Sequence, residues 1–171
     1  MAISMYKASV PIFVQYLTGL SDVLGKAAAQ AEAKKLDPAF LLNMRLYPDM
    51  FPLVRQVRAA TDHAMSACGR CAGIEPPTFA NDEASFDALK DRIATAIAFI
   101  KKIKPEQIDG SEDRDITIKF PSGERKFTGQ GLLLNFALPN FYFHATTAYD
   151  ILRHCGVEVG KRDFMSTPVQ A

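Results

Sequence analysis

The chain has no surplus of either charge: twenty lysines and arginines stand against nineteen aspartates and glutamates, a formal net charge of +1 over 171 residues. Without a basic field there is nothing to hold a phosphate backbone or an anionic lipid face, so neither nucleic acid nor a membrane surface is an expected partner. No uninterrupted apolar run approaches the roughly 18 to 20 residues of a membrane span. The first residues lack the basic segment and continuous apolar core of a secretory signal, so a cytoplasmic location is expected. Cysteine is scarce and odd in number: Cys68, Cys71 and Cys155 make no disulfide framework for a reducing compartment.

What is present is a 48% hydrophobic chain of ordinary single-domain length. A globule of this size buries about 70% of its unfolded surface and needs neither disulfide nor structural metal. One domain over residues 1–171 is expected, with 161–171 as a short, partly flexible tail.

Hydrophobic spacing places four long helices. Tyr6, Val10, Phe13, Leu17, Leu20 and Leu24 recur by threes and fours, with Pro11 either in the first turn or at a bend. Asp37-Pro38 opens a short piece through Leu42. A second long helix is expected to start at about Asp49, whose carboxylate would cap it, and to run through Val57 and Ala64 to about Cys71. Asn81-Asp82-Glu83 reads as the acidic start of a third, carrying Phe86, Leu89, Ile93, Ile97 and Ile100. Ile116, Ile118 and Phe120 alternate with polar residues ahead of the turn Pro121-Ser122-Gly123-Glu124, which reads as a β-hairpin. The last helix spans about Gly129 to His154, and Pro139 is expected to bend it. The fold class is therefore all-α, a four-helix bundle with a short β-hairpin inserted before the last helix.

At about 100° per residue, His144 falls near the centre of the apolar face of the last helix, with Asn140 and Thr147 as its polar companions. Three polar side chains in one apolar patch are costly unless they serve one another, a water, a ligand or a metal. Two readings stay open: a core histidine with hydrogen-bonded neighbours, or a polar pocket between helices. His63 sits about 100° from the apolar centre of its helix and reads as a rim residue, with Gln56 on the same flank able to reach inward. His154, ten residues beyond His144, reads as a surface cation at a helix C-terminus. Cys68-Gly69-Arg70-Cys71 lies at a helix C-terminal end with no second pair to complete a zinc site, which favours two buried small side chains.

Three stretches carry a family likeness: Ser4-Met5-Tyr6 with Ala8-Ser9-Val10-Pro11; the run from Leu42 to Leu53, Leu-Asn-Met-Arg-Leu-Tyr-Pro-Asp-Met-Phe-Pro-Leu; and the run from Leu138 to His154, Leu-Pro-Asn-Phe-Tyr-Phe-His-Ala-Thr-Thr-Ala-Tyr-Asp-Ile-Leu-Arg-His. With Gly160-Lys161-Arg162-Asp163-Phe164 behind them, the chain resembles a bacterial and fungal family known only as a domain of unknown function. That family is similar in fold to the DinB/YfiT-like superfamily of four-helix bundles, many of which bind a divalent metal and some of which are thiol-dependent transferases. The resemblance implies a DinB-like bundle and a homodimer, for which Ile12 and Val14, off the main stripe of the first helix, are candidate interface residues. It also implies a metal site of one histidine from the second long helix and a His-x-x-x-His pair from the last. Here Ala148 follows His144 by four and Asn140 precedes it by four, so the pair is broken and no metal or other cofactor is expected.

The leading expectation is a small-molecule pocket formed by Gln56, Asn140, His144 and Thr147, with His144 as the candidate catalytic residue. The enzymatic alternative makes His144 a general base or metal ligand in group transfer to a thiol or similar nucleophile. The remaining one is a structural or interaction domain without an active site.

Overall fold

The computed structural model describes residues 3–168. Four long helices, α1 (Val10–Ala33), α3 (Leu53–Ala72), α4 (Phe86–Lys101) and α7 (Leu138–His154), form the bundle, with short helices α2 (Pro38–Leu42) and α5 (Pro105–Ile108) in the connections. The hairpin β1 (Ile116–Phe120) and β2 (Gly123–Phe127) precedes the last helical run, and α8 (Lys161–Met165) follows it. Both α1 and α3 pack against α4 and α7, so the four helices close a ring around one apolar core. Among the described residues, no helix is long and apolar enough to cross a membrane.

Local chemistry explains most boundaries. Ser9 precedes α1 and Pro11 lies in its first turn, where a missing N–H costs nothing, so the chain starts there without a bend. The Asp37 carboxylate accepts from the Ala39 amide at 2.9 Å and caps α2. Gly73, at φ 72°, ends α3 with the Ile74 amide donating back to the Gly69 carbonyl at 2.8 Å. The hairpin pairs Ile116 with Phe127 and Phe120 with Gly123 around Pro121-Ser122.

Two starts differ from the sequence expectation. α3 begins at Leu53 rather than Asp49, because Pro52 sits extended at the cap (ψ 164°) and a residue before proline is biased away from helix. α4 begins at Phe86 rather than Asn81: Asn81 is left-handed at φ 61°, and Ser85 supplies the cap by accepting from the Ala88 amide at 3.1 Å. Glu83 is thereby free to meet arginines.

The last helical run is continuous but not uniform. After a single turn, α6 (Gly129–Gly131), residues Leu132–Ala137 form a π-helical stretch that leads into α7, with Pro139 in the first turn of α7. Pro139 has no N–H for the carbonyl four residues back, and its ring would press on that carbonyl. The wider turn ahead of it takes up this conflict.

Residues Lys161–Met165 of the tail form α8, which packs on α1. Gln15 Nε2 donates to the Met165 carbonyl at 2.8 Å, and Lys26 pairs with Asp163 at 2.7 Å. Residues 169–171 of the expected flexible tail lie outside the described residues. The two candidate interface positions on α1 also differ: Val14 is buried in the core and Ile12 is half-buried, so neither offers a free apolar face.

Candidate functional site

α3 packs directly on α7, and between them Gln56 meets His144. Gln56 is buried, and its Nε2 donates to the Phe51 carbonyl at 3.0 Å, which turns Oε1 toward α7. His144 Nδ1 lies 2.7 Å from that oxygen. An amide oxygen only accepts, so Nδ1 carries the proton. Burial also lowers the His144 pKa, which keeps the ring neutral at physiological pH. The neutral Nδ1–H tautomer leaves the lone pair on Nε2, the atom able to take a proton from a bound molecule.

The imidazole stands in a file of rings. Phe51 lies nearly parallel to it (7°) with centroids 6.0 Å apart, and His63 faces it at 5.6 Å and 12°. Phe136, from the π-helical stretch, meets His63 edge-on at 5.5 Å, and the hairpin rings Phe120 and Phe127 pack in turn on Phe136. Burial, with a smaller contribution from His144, pushes the His63 pKa down to about 4.

Two clefts open on this file and share Phe51. One, of about 270 Å³, is bounded by Asp49, Met50, Phe51, Gln56, Phe143 and His144. The other, of about 470 Å³, is bounded by Phe51, Arg55, Arg58, Asp62, His63 and Asn81. Behind the second lies an ion network. Arg92, 3% exposed, reaches Asp62 at 2.5 Å, Glu83 at 2.7 Å, Asn81 at 2.9 Å and Thr61 at 2.7 Å, and its guanidinium caps the Phe79 ring. Arg58 pairs with Glu83 at 2.5 Å. Burial alone would raise the Glu83 carboxyl, but hydrogen bonds from Arg92 and Arg58 outweigh it and hold the pKa below the usual carboxylate value.

Of the residues expected from sequence, Gln56 and His144 come together. Asn140 and Thr147 do not join them: Asn140 Nδ2 donates to the Phe136 carbonyl and the Thr147 hydroxyl to the Phe143 carbonyl, each at 2.7 Å within their own helical run. Neither lines either cleft. His144 is half-buried rather than central, the buried face of α7 being Phe141, Ala145, Ala148, Ile151 and Leu152. Spacing at 100° per residue holds only within regular α-helix, and the run that leads into α7 is π-helical over Leu132–Ala137, where that count fails. His154 is exposed in the last turn of α7, and Cys68 and Cys71 are buried, their thiols raised by burial. Arg92 escaped the sequence reading although it left a signal, a charged residue in register with Leu89, Ile93 and Ala96 on the inward stripe of α4.

The donor set does not fit the metal site that a DinB-like fold implies. His63 and His144 supply two imidazoles, Ala148 supplies nothing, and the Asn140 amide is engaged by its own helix. Among the described residues, no three histidine, cysteine, aspartate or glutamate side chains gather closely enough to hold an ion.

Residues 5–165 match the family described as Domain of unknown function (DUF1993). The crystal structure of a DinB family member protein from Shewanella denitrificans is similar, with a TM-score of 0.85 and 37% sequence identity over 97% of this chain and 94% of that one. No curated protein matches.

Proposed function

Because the chain belongs to the DUF1993 family and folds as a DinB-like bundle, we propose that it binds a small organic molecule in the two clefts that share Phe51, the smaller of them against His144. The observation that carries this reading is the 2.7 Å contact from His144 Nδ1 to Gln56 Oε1. A buried amide, itself fixed by a backbone carbonyl, is spent on orienting an imidazole that stands at the wall of an open cleft. Pairing its N–H would serve a packing imidazole as well; what favours a ligand is that the fixed tautomer leaves the Nε2 lone pair, which has no protein partner among the described residues, on a ring that lines an open cleft. The lining combines apolar walls with a few directed polar groups, the usual make-up of a small-molecule site.

The test replaces His144 with phenylalanine, which is similar in size. A metabolite library screened by thermal shift should contain compounds that stabilise the wild type and lose that effect in the variant. The variant leaves the buried Gln56 Oε1 without a donor and should lose about 1 to 3 kcal/mol while still folding cooperatively. A library with no stabilising compound for the wild type, or compounds that stabilise the variant equally, would instead make His144 a packing residue.

The fixed tautomer also favours an enzymatic reading, in which Nε2 of His144 accepts a proton from the nucleophile in a group transfer. Gln56 then positions the base and His63 keeps water from one face of it. Turnover that falls as His144 becomes protonated, with no requirement for added metal, is the signature of this reading.

A further inference from the structure

We propose that the ligand is an organic monoanion, a carboxylate carried on an apolar body, and that Arg55 is the residue that takes the carboxylate. The inference rests on the reading that the clefts beside His144 bind a small molecule, and it adds the ligand's charge and shape.

The charge follows from counting partners around the larger cleft. Glu83 and Asp62 supply two carboxylates, and both are taken: Glu83 by Arg58 and Arg92 at 2.5 and 2.7 Å, Asp62 by Arg92 at 2.5 Å. Three guanidiniums stand in the same place, so one positive charge is left over, and it is Arg55. Among the described residues, Arg55 has no carboxylate within 4.0 Å and no side-chain hydrogen bond. Its guanidinium lies 3.7 Å over the Phe51 ring centroid. Stacking of this kind uses the face of the guanidinium and leaves its N–H edge open, the edge that grips a carboxylate with two parallel hydrogen bonds. Asn81 adds a donor: its Oδ1 is occupied by Arg92 at 2.9 Å, which leaves its Nδ2 unspent at the same cleft. A single uncompensated cation matches a monoanion better than a doubly charged phosphate.

The apolar body follows from the neighbouring cleft. Phe51 is the wall common to both spaces, and beyond it Met50 and the 56% exposed Phe143 flank His144; the exposed Asp49 in the same lining would repel an anion there, so the carboxylate belongs at Arg55 and the apolar part here. A molecule gripped at Arg55 and laid along Phe51 therefore places its apolar portion against these side chains and within reach of the His144 ring.

The experiment uses the full chain and a matched panel: phenylacetate, benzoate and hexanoate, their primary amides, and inorganic phosphate. Binding is read by calorimetry and by NMR shifts of His144 and His63. The carboxylates should bind and move both histidine signals, their amides should bind at least tenfold more weakly, and added salt should weaken the carboxylates alone. Arg55→Met keeps an apolar stem over Phe51 and touches no ion pair, so it should fold as the wild type does in a thermal melt while losing the preference for carboxylates. Amides that bind as well as acids, with the histidine signals moving, would overturn the monoanion assignment and leave the cleft reading intact. Phosphate competing as strongly as phenylacetate would reduce Arg55 to a bare cation patch and overturn the amphiphile. Histidine signals unmoved by the whole panel would count against both this inference and the cleft.

Discussion

Gln56 and His144 are 88 residues apart in the chain and 2.7 Å apart in space. The contact runs from the first turns of one helix to the middle of another, and its direction is set by a third group, the Phe51 carbonyl. Chemistry at the cleft therefore depends on how α3 is held against α7.

The tautomer is directly measurable. Nitrogen-15 spectra near neutral pH should show His144 protonated at Nδ1 and bare at Nε2. Gln56→Leu strands the imidazole donor and the Phe51 carbonyl together and should cost about 1 to 3 kcal/mol in urea denaturation. A wild-type spectrum with the proton on Nε2 would mean that the Gln56 amide is turned the other way.

His63 should make stability depend on pH. The unfolded chain takes up this proton near 6.5, but the folded one holds off until about 4. Falling pH then favours the unfolded state through that window, so the stability is complete above about pH 6.5 and its loss is complete below about pH 4. A shift of this size corresponds to about 3 kcal/mol. In His63→Phe that part of the acid slope should vanish, and denaturation curves for the two proteins that stay parallel from pH 7 to pH 4 would refute the assignment.

Arg92 should be the costliest polar side chain to remove. Arg92→Met leaves Glu83 and Asp62 short of a partner beside the core and should destabilise by about 3 to 5 kcal/mol. Adding Glu83→Gln should recover part of the loss, because the stranded charge goes with it. Arg92→Lys should recover little, since an ammonium cannot reach Asp62, Glu83, Asn81 and Thr61 at once. If Arg92→Met costs under 1 kcal/mol, the network is ornamental.

The long helices, the hairpin and the inward reach of Gln56 were legible because they rest on local periodicity and turn chemistry. The starts of α3 and α4 were not: at α3 the extended Pro52 overrides the Asp49 cap, and at α4 Ser85 caps the helix while Glu83 stays outside it to join Arg58 and Arg92. Asn140 and Thr147 read as pocket residues because spacing gives a side chain's bearing and says nothing of its partner, which in both cases is a carbonyl four residues back. Nothing in the sequence marks Arg55; what sets it apart is that Arg58 and Arg92 are paired with Glu83 and Asp62.

Two glycines should respond in opposite directions. A Cβ on Gly129 would stand 1.9 Å from the Ser111 carbonyl oxygen, so Gly129→Ala must push the hairpin connection off the bundle and should cost at least about 2 kcal/mol. Gly25, inside α1, has open space where its Cβ would be. There alanine should add about 0.5 to 1 kcal/mol by restraining the unfolded chain. Thermal melts in which both variants shift the same way would contradict this account.

The π-helical stretch at Leu132–Ala137 also makes the last helical run tolerant of a change in residue number. A π turn encloses one residue more than an α turn, so deleting one residue there would let the ladder close as ordinary α-helix with little change in length. Because the wider turn spreads its extra residue over about the same rotation as an α turn, the two sides of the deletion would keep their bearing, with the hairpin end held at Gly129 and His144 still on Gln56. The side chains inside the stretch would be re-aimed instead, Phe136 against His63 among them. In this fold a one-residue gap is thus absorbed on the spot, able to loosen one ring of the file while the bundle keeps its outline.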